Sequence, residues 1–372
     1  MIIIYIIVLI YVLFILWILG GYKNLNNPLI KTPTLNASSI SIVIAAKNEK
    51  KNIGNLLNSL KNQKFPKGKY EIIIINDKSE DGTGDILEKY NKNISYLKVI
   101  HIKKTPNNWA SKKWALYNGI QKAKGDIIIQ TDADCIFNKN WINSMIRPFI
   151  DADVGFVSSL APLKGDQSIF QKLLLLDSVV QDALSACAVG QGIILSCTGR
   201  SMAYRKSFFL KAGGYDNIKD VISGDDDLIL HKIVHYVGCK VKFIISKDAS
   251  VLSPPPKNLK SFINQRLRFA SKGLLYYKSD FISKELKIIL PLLFLTNLMI
   301  IISIFNFCNS LSILWIFPFI FKLIADFFIL YIFQKQLSIK WDWILFLLLS
   351  IIHPFYIVIF GCLGPFRKFQ WR

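Results

Sequence analysis

Three short motifs carry the residue types needed to break a bond to a diphosphate. Thr131-Asp132-Ala133-Asp134 comes first, then Ser223-Gly224-Asp225-Asp226-Asp227, then Gln265-Arg266-Leu267-Arg268-Phe269. Two carboxylates one residue apart in a loop can reach one metal ion, or a metal and a ribose. Hard oxygen ligands suit Mg²⁺ or Mn²⁺, which bind through a few carboxylates plus substrate phosphates. A carboxylate of the second motif can take a proton from an acceptor hydroxyl. The arginines of the third match phosphate in bidentate geometry. Each motif alone has a plainer reading: a turn whose aspartate caps a helix, a solvated acidic cap, or a basic helix against lipid headgroups. Their order and spacing argue for a shared task.

Other side chains extend this set. Asp77 follows the strand candidate 71–75 and can accept hydrogen bonds from a base or ribose. Lys112 and Lys113, beside Trp109 and Trp114, can meet phosphate, although lysines on a helix surface more often face solvent. Asp225, Asp226 and Asp227 precede a helical run, 228–237, whose N-terminus offsets part of their mutual repulsion. Arg266 and Arg268 point to different faces of a helix, so one can serve phosphate and the other lipid. Lys322 and Asp326, four apart in an apolar segment, predict an internal salt bridge supporting a helix bundle. A transporter reading would rest on that pair alone. His231 and His235 share a helix face without an acidic third ligand and read as structural.

The elements that must position these residues alternate from residue 40 onward. Strands are predicted at 41–46, 71–75, 96–102 and 127–130, with helices at 49–61, 84–90 and 109–122 between them. That rhythm predicts a parallel, Rossmann-like sheet, in which ligands bind beyond the carboxyl ends of the strands. Lys47-Asn48-Glu49, Asn76-Asp77 and Asp132/Asp134 all fall at such ends. Further on, 170–188 reads as a helix. The stretch 190–204, with Gly192 and Gly199, suits a close approach to substrate. Pro254-Pro255-Pro256 breaks the chain before an amphipathic stretch, 259–275, able to lie along a membrane surface.

Apolar residues make up 52% of the 372 and concentrate at the two ends. Residues 2–22 carry no charge and are long enough to cross a bilayer core of roughly 30 Å. No basic residue precedes them and no small-x-small site follows, which disfavours a cleaved signal. Lys23 and Lys31 then put the following domain in the cytoplasm by the positive-inside rule. Further spans are predicted at 288–307, 311–333 and 343–363. Lys335 and Lys340 fit an inner loop between the last two. If the last segment spans, the basic tail 367–372 ends outside, against the rule; His353-Pro354 interrupts that segment, so a re-entrant or interfacial path is the alternative.

Net charge is +21. With several spans predicted, attraction to anionic inner-leaflet lipid and to a nucleotide diphosphate explains this better than nucleic acid, which is not expected as a partner. The cysteines are scattered without a CxxC pair, which indicates neither a zinc site nor a disulfide framework and fits a reduced cytosolic face.

From residue 40 to 273 the chain resembles a membrane-bound family 2 glycosyltransferase of GT-A fold, of the type acting on ceramide or carotenoid lipids. Ala45-Ala46-Lys47-Asn48-Glu49 resembles the opening nucleotide-binding strand, and Asp77 the aspartate that contacts uracil or ribose. Asp132 and Asp134 match the DxD that holds the donor diphosphate through a metal. Gly213-Gly214-Tyr215-Asp216 matches a GGxD-like turn, and Gln265 to Phe269 match QxxRW with Phe for Trp. Gly224-Asp225-Asp226-Asp227-Leu228 stands where the family has Glu-Asp-x-Asp/Glu-Leu. By that register Asp225 is the base; Gly224 in place of Glu keeps Asp226 as the alternative.

The resemblance implies an α/β GT-A domain, 38–253, behind an N-terminal span, 1–22. An interface segment, 254–284, a membrane region, 285–365, and a tail, 366–372, follow. The combined reading gives a donor site of Ala46, Asn48, Glu49, Asp77, Lys112, Asp132, Asp134, Gln265, Arg266 and Arg268. Asp132 and Asp134 hold Mg²⁺ or Mn²⁺, and the donor is a UDP-sugar first of all. The expected reaction is inverting transfer to a lipid acceptor at the inner (plasma) membrane. A processive polysaccharide synthase and an inactive GT-A scaffold are the competing readings. Up to four spans in one chain are few for a polymer channel, and none of the key carboxylates is missing.

Overall fold

A computed structural model describes residues 1–25, 39–164, 168–337 and 342–366, with the side chains at 335 and 336 excepted. Lys31, Lys340, the Lys335 side chain and the tail 367–372, which bear on topology, lie outside the described residues. The chain forms two compact units. The described part of one falls within 39–162 and 196–254; that of the other falls within 1–25, 163–195 and 255–366. The segment 38–253 is therefore interrupted, because 163–195 packs with the second unit.

Among the described residues the first unit has nine strands: β1 (Ile40–Ala46), β2 (Tyr70–Asp77), β3 (Leu97–Ile102), β4 (Ile127–Gln130), β5 (Ile136–Phe137), β6 (Val154–Ser159), β7 (Met202–Arg205), β8 (Lys240–Ile244) and β9 (Val251–Leu252). Seven make one sheet in the order β3-β2-β1-β4-β7-β6-β8, and β5 pairs with β9 separately. The pairs among β1 to β4 are parallel, as the alternating rhythm predicts. β7 runs antiparallel to both β4 and β6, so the sheet is mixed. All seven residues of β1 are buried, which is why it reads as an apolar run broken only by Ser41.

Helices cover the sheet by periodic apolar faces. The helix Ile53–Lys61 buries Ile53, Leu56, Leu57 and Leu60, the four positions its spacing singles out. The helix Ser111–Lys122 buries Ala115, Leu116 and Ile120, leaving Trp109 in the turn before it.

In the second unit, five helices among the described residues are long and apolar enough to cross a membrane, where the sequence suggests three or four. They are Ile2–Gly20, Ile169–Gly190, Lys284–Ser310, Phe317–Leu337 and Trp343–Leu363. The addition is Ile169–Gly190, whose sequence reads as an ordinary helix. Trp343–Leu363 runs on through Pro354, so His353-Pro354 does not end it. Ile2, Ile3, Leu9 and Leu13 of the first helix are more than half exposed, an apolar face suited to lipid rather than water. On its other face Ile4 and Val8 pack with Ile300.

Several polar residues of this unit are paired inside it. Lys322 bridges to Asp326 as the spacing predicts, and the Tyr11 hydroxyl donates to Asp326 Oδ1 at 2.5 Å. The helix Leu259–Ala270 opens with a capping box of Asn258 and Ser261 and buries Phe262, Arg266 and Leu267. Leu259 and Phe269 stay exposed, which keeps the predicted amphipathic character.

Candidate active site

The chain leaves β1 for β2 on one side and returns to β4 on the other, so strand order reverses between β1 and β4. A crevice at such a reversal is where open α/β sheets bind ligands. Ala46, Asn48 and Glu49 lie at the end of β1 or just beyond it, Asp77 ends β2, and Asp132 and Asp134 follow β4. Ala46 is fully buried in the core, so only its backbone can face a ligand.

The first two of these loops are laced together. Asn48, with φ of 57°, accepts from the Glu80 amide at 2.9 Å, while its own amide donates to Ser79 Oγ at 3.0 Å. The Glu49 amide donates to Thr83 Oγ1 at 2.9 Å. Asp77 is fully buried and accepts from Ser111 Oγ at 2.5 Å, with Lys78 Nζ 3.3 Å from its other oxygen. Its carboxylate therefore braces the loop at the crevice end of β2.

Lys112 joins two of the motifs. Its ammonium lies 2.9 Å from Asp132 Oδ1 and 2.7 Å from Asp225 Oδ2. Burial works against its charge, but the carboxylates of Asp132 and Asp225 more than offset this and hold it protonated. Lys113 is buried and donates to the Ile218 carbonyl at 2.7 Å, so it braces the fold instead of facing solvent or phosphate.

The three adjacent aspartates separate by their partners. Asp226 caps the helix Asp227–Val237, accepting from the Asp227 amide at 2.8 Å with one oxygen and from the Gly199 amide at 2.9 Å with the other. Asp227 accepts from the Leu228 amide at 2.9 Å. Asp225 turns to Lys112. Gly224 has φ of 77°, and a Cβ there would come within 2.5 Å of Leu228 Cδ1. That backbone conformation explains glycine at a position where the family carries Glu.

Asp132 and Asp134 flank buried Ala133. Burial pushes the Asp134 carboxyl up to about 7, and the charges of Asp132 and Glu49 add to this while Arg200 opposes it. A hard divalent cation would relieve that crowding, so the donor set fits Mg²⁺ or Mn²⁺. Among the described residues no three His, Cys, Asp or Glu side chains form a metal cluster, so substrate phosphates and water would complete the shell.

Arg200 is the site residue that sequence reasoning misses. Its Nε donates to Thr198 Oγ1 at 3.0 Å and its Nη1 to Ser253 Oγ at 2.9 Å. It lies in the 190–204 stretch, where the glycines signal a close approach but a single arginine between Gly199 and Ser201 carries no pattern of its own.

The third motif lies in the other unit. Arg266, expected at the donor, is buried and ion-paired to Asp177, whose second oxygen accepts from the Tyr356 hydroxyl. It thus has a protein anion in place of a phosphate. Arg268 lies over the Phe269 ring, 5.2 Å from its centre. Gln265 sits on the same helix.

Residues 41–209 match the family model described as Glycosyl transferase family 2. The matched stretch runs from β1 into the helix that follows β7. It is 25% identical over 277 residues to the probable glycosyltransferase YdaM of Bacillus subtilis (strain 168), covering 72% of this chain and 64% of that protein, short of two thirds of its length. It is 26% identical over 313 residues to the poly-beta-1,6-N-acetyl-D-glucosamine synthase of Staphylococcus aureus (strain COL), covering 82% of this chain and 70% of the synthase. Among solved structures, the mannosyltransferase PcManGT of Pyrobaculum calidifontis, in complex with GDP-Man and Mn²⁺, superposes with a TM-score of 0.62 at 16% identity. The superposition covers 95% of this chain and 98% of that one. At that identity the likeness establishes the GT-A fold alone.

Proposed function

We propose that this protein is an inverting glycosyltransferase that moves a sugar from a nucleotide diphosphate-sugar, a UDP-sugar first of all, to a hydroxyl of a membrane lipid. The observation that carries this reading is the Lys112 ammonium between Asp132 and Asp225, where it compensates both carboxylates. An arriving diphosphate offers a competing anion. As the ammonium turns towards it, Asp225 loses counter-charge and becomes a stronger base.

Asp225 then takes the proton of the acceptor hydroxyl. The oxygen attacks the anomeric carbon from the face opposite the diphosphate, the bond to the diphosphate breaks, and configuration inverts. Asp226 serves as the cap that fixes the loop, which leaves Asp225 as the base. Lys112 compensates the charge of the leaving group. A divalent cation held by Asp132 and Asp134 would supply further charge neutralisation there. Arg266, held by Asp177 within its own unit, takes no part in this step.

The lipid acceptor is supported by the apolar helices and by the exposed apolar residues of the helix Leu259–Ala270. A processive synthase is the second reading, favoured by the 82% of this chain that aligns with a polysaccharide synthase. Membranes holding the protein, given labelled nucleotide-sugars with Mg²⁺ or Mn²⁺, separate the two. We expect label in an organic-extractable lipid, reduced about 10²- to 10⁴-fold in Asp225→Asn, while UDP binding persists. Label confined to insoluble polymer selects the synthase. Full turnover by Asp225→Asn removes the base assignment.

A further inference from the structure

We propose that the pocket lined by Asn108, Asp216, Asn217, Lys219 and Asp220 is an acceptor subsite for a hydroxyl-rich ring, the pyranose of a glycolipid headgroup or of a glycan chain. Its place in the reaction rests on the transferase reading above; its ligand chemistry does not. It is an open depression of about 620 Å³ with a mostly exposed polar lining.

The lining chooses the ligand class. Two carboxylates accept hydrogen bonds from neighbouring hydroxyls, two carboxamides both donate and accept, and one ammonium donates. Two acids against one lysine repel a nucleotide diphosphate, so the donor is a poor occupant. Lys219 Nζ lies 5.9 Å from the centre of the Trp109 ring. That indole is partly exposed and offers a flat apolar edge beside the polar groups.

The wall is held in shape before any ligand arrives. Gly213, Gly214 and Asn217 have φ of 74°, 49° and 64°. Lys232, itself buried, donates to the carbonyls of Gly214 and Asp216, both at 2.7 Å. Lys113 donates to the Ile218 carbonyl and the Ala110 amide to the Lys219 carbonyl, again at 2.7 Å each. Two buried lysines thus fix one surface turn, a costly arrangement that pre-organises the pocket.

The same segments lead to the reacting groups. Asn108 precedes the helix that carries Lys112, and Asp220 precedes Asp225. Tyr215, buried beside the turn, packs on Trp109 with ring centres 6.4 Å apart.

The test is saturation-transfer NMR on the full chain in nanodiscs, with methyl glycosides of glucose, galactose and N-acetylglucosamine as probes and glycerol as the control. At least one pyranoside should receive saturation. The signal should fall about fivefold in Asn108→Ala and in Asp220→Ala, as loss of one net hydrogen bond gives. UDP with Mn²⁺ should leave it in place and should bind both variants as it binds the parent, which also shows that they fold. No signal from any pyranoside, undiminished signal in both variants, or displacement by UDP overturns the proposal. Stronger competition by a soluble tetrasaccharide identifies a glycan chain as the source, and by a glycolipid in the disc, a headgroup. Pyranoside binding without sugar transfer would leave the subsite standing and remove the transferase reading. Transfer without pyranoside binding would do the reverse.

Discussion

Lys112 shows how a single side chain can couple two motifs that sequence presents as separate. It is charged, largely buried and shared between Asp132 and Asp225. Lys112→Met would leave those carboxylates without their common cation and the diphosphate without an ammonium. A hydrogen bond to a charged group contributes about 1.5–3 kcal/mol, so UDP affinity should fall roughly tenfold to a hundredfold in a calorimetric titration. Unchanged affinity would remove Lys112 from the donor site. Asp225 and Asp226 are adjacent and chemically identical, yet they part company. Asp226 is tied to two backbone amides, and Asp225 faces an ammonium that a diphosphate can draw away.

At the scale of elements, the helices Ile169–Gly190, Leu259–Ala270 and Trp343–Leu363 are joined by Asp177, Arg266 and Tyr356. Removing one partner of a buried ion pair strands the other charge and costs about 3–5 kcal/mol. Asp177→Leu should therefore lower the melting temperature markedly in detergent, and Asp177→Leu with Arg266→Met should recover most of the loss. If both variants melt alike, the pair is not what binds these helices. The recovery would also separate a structural Arg266 from a phosphate-binding one, since the double variant would still bind UDP.

For the whole molecule, the helix Ile169–Gly190 poses a topological question. β6 precedes it, β7 follows it, and the two strands are neighbours in one sheet. The chain must leave and return on the same side of a membrane. The segment between this helix and β7 is not a second span, so this helix does not complete a crossing. The remaining four apolar helices put both chain ends on one side if each crosses. A reporter fused after Arg372 and another before Met1 should then respond alike to an impermeant reagent. Opposite responses would mean that one helix, Trp343–Leu363 foremost, does not cross.

Much of this was legible in the sequence because it depends on local periodicity. The run 40–46 is a strand buried on both faces, and the spacing of Ile53, Leu56, Leu57 and Leu60 is that of one helix face. The Lys322–Asp326 pair follows from four-residue spacing alone. What the sequence could not decide depends on contacts between residues far apart in the chain. Local pattern does not reveal that β7 enters the sheet antiparallel, because its direction is defined only by pairing with β4 and β6, which are distant in the chain. Nor can it give Arg266 to Asp177, eighty-nine residues away, rather than to a phosphate. The choice of Asp225 over Asp226 likewise waits on Gly199 and Lys112, which only the folded chain brings to them.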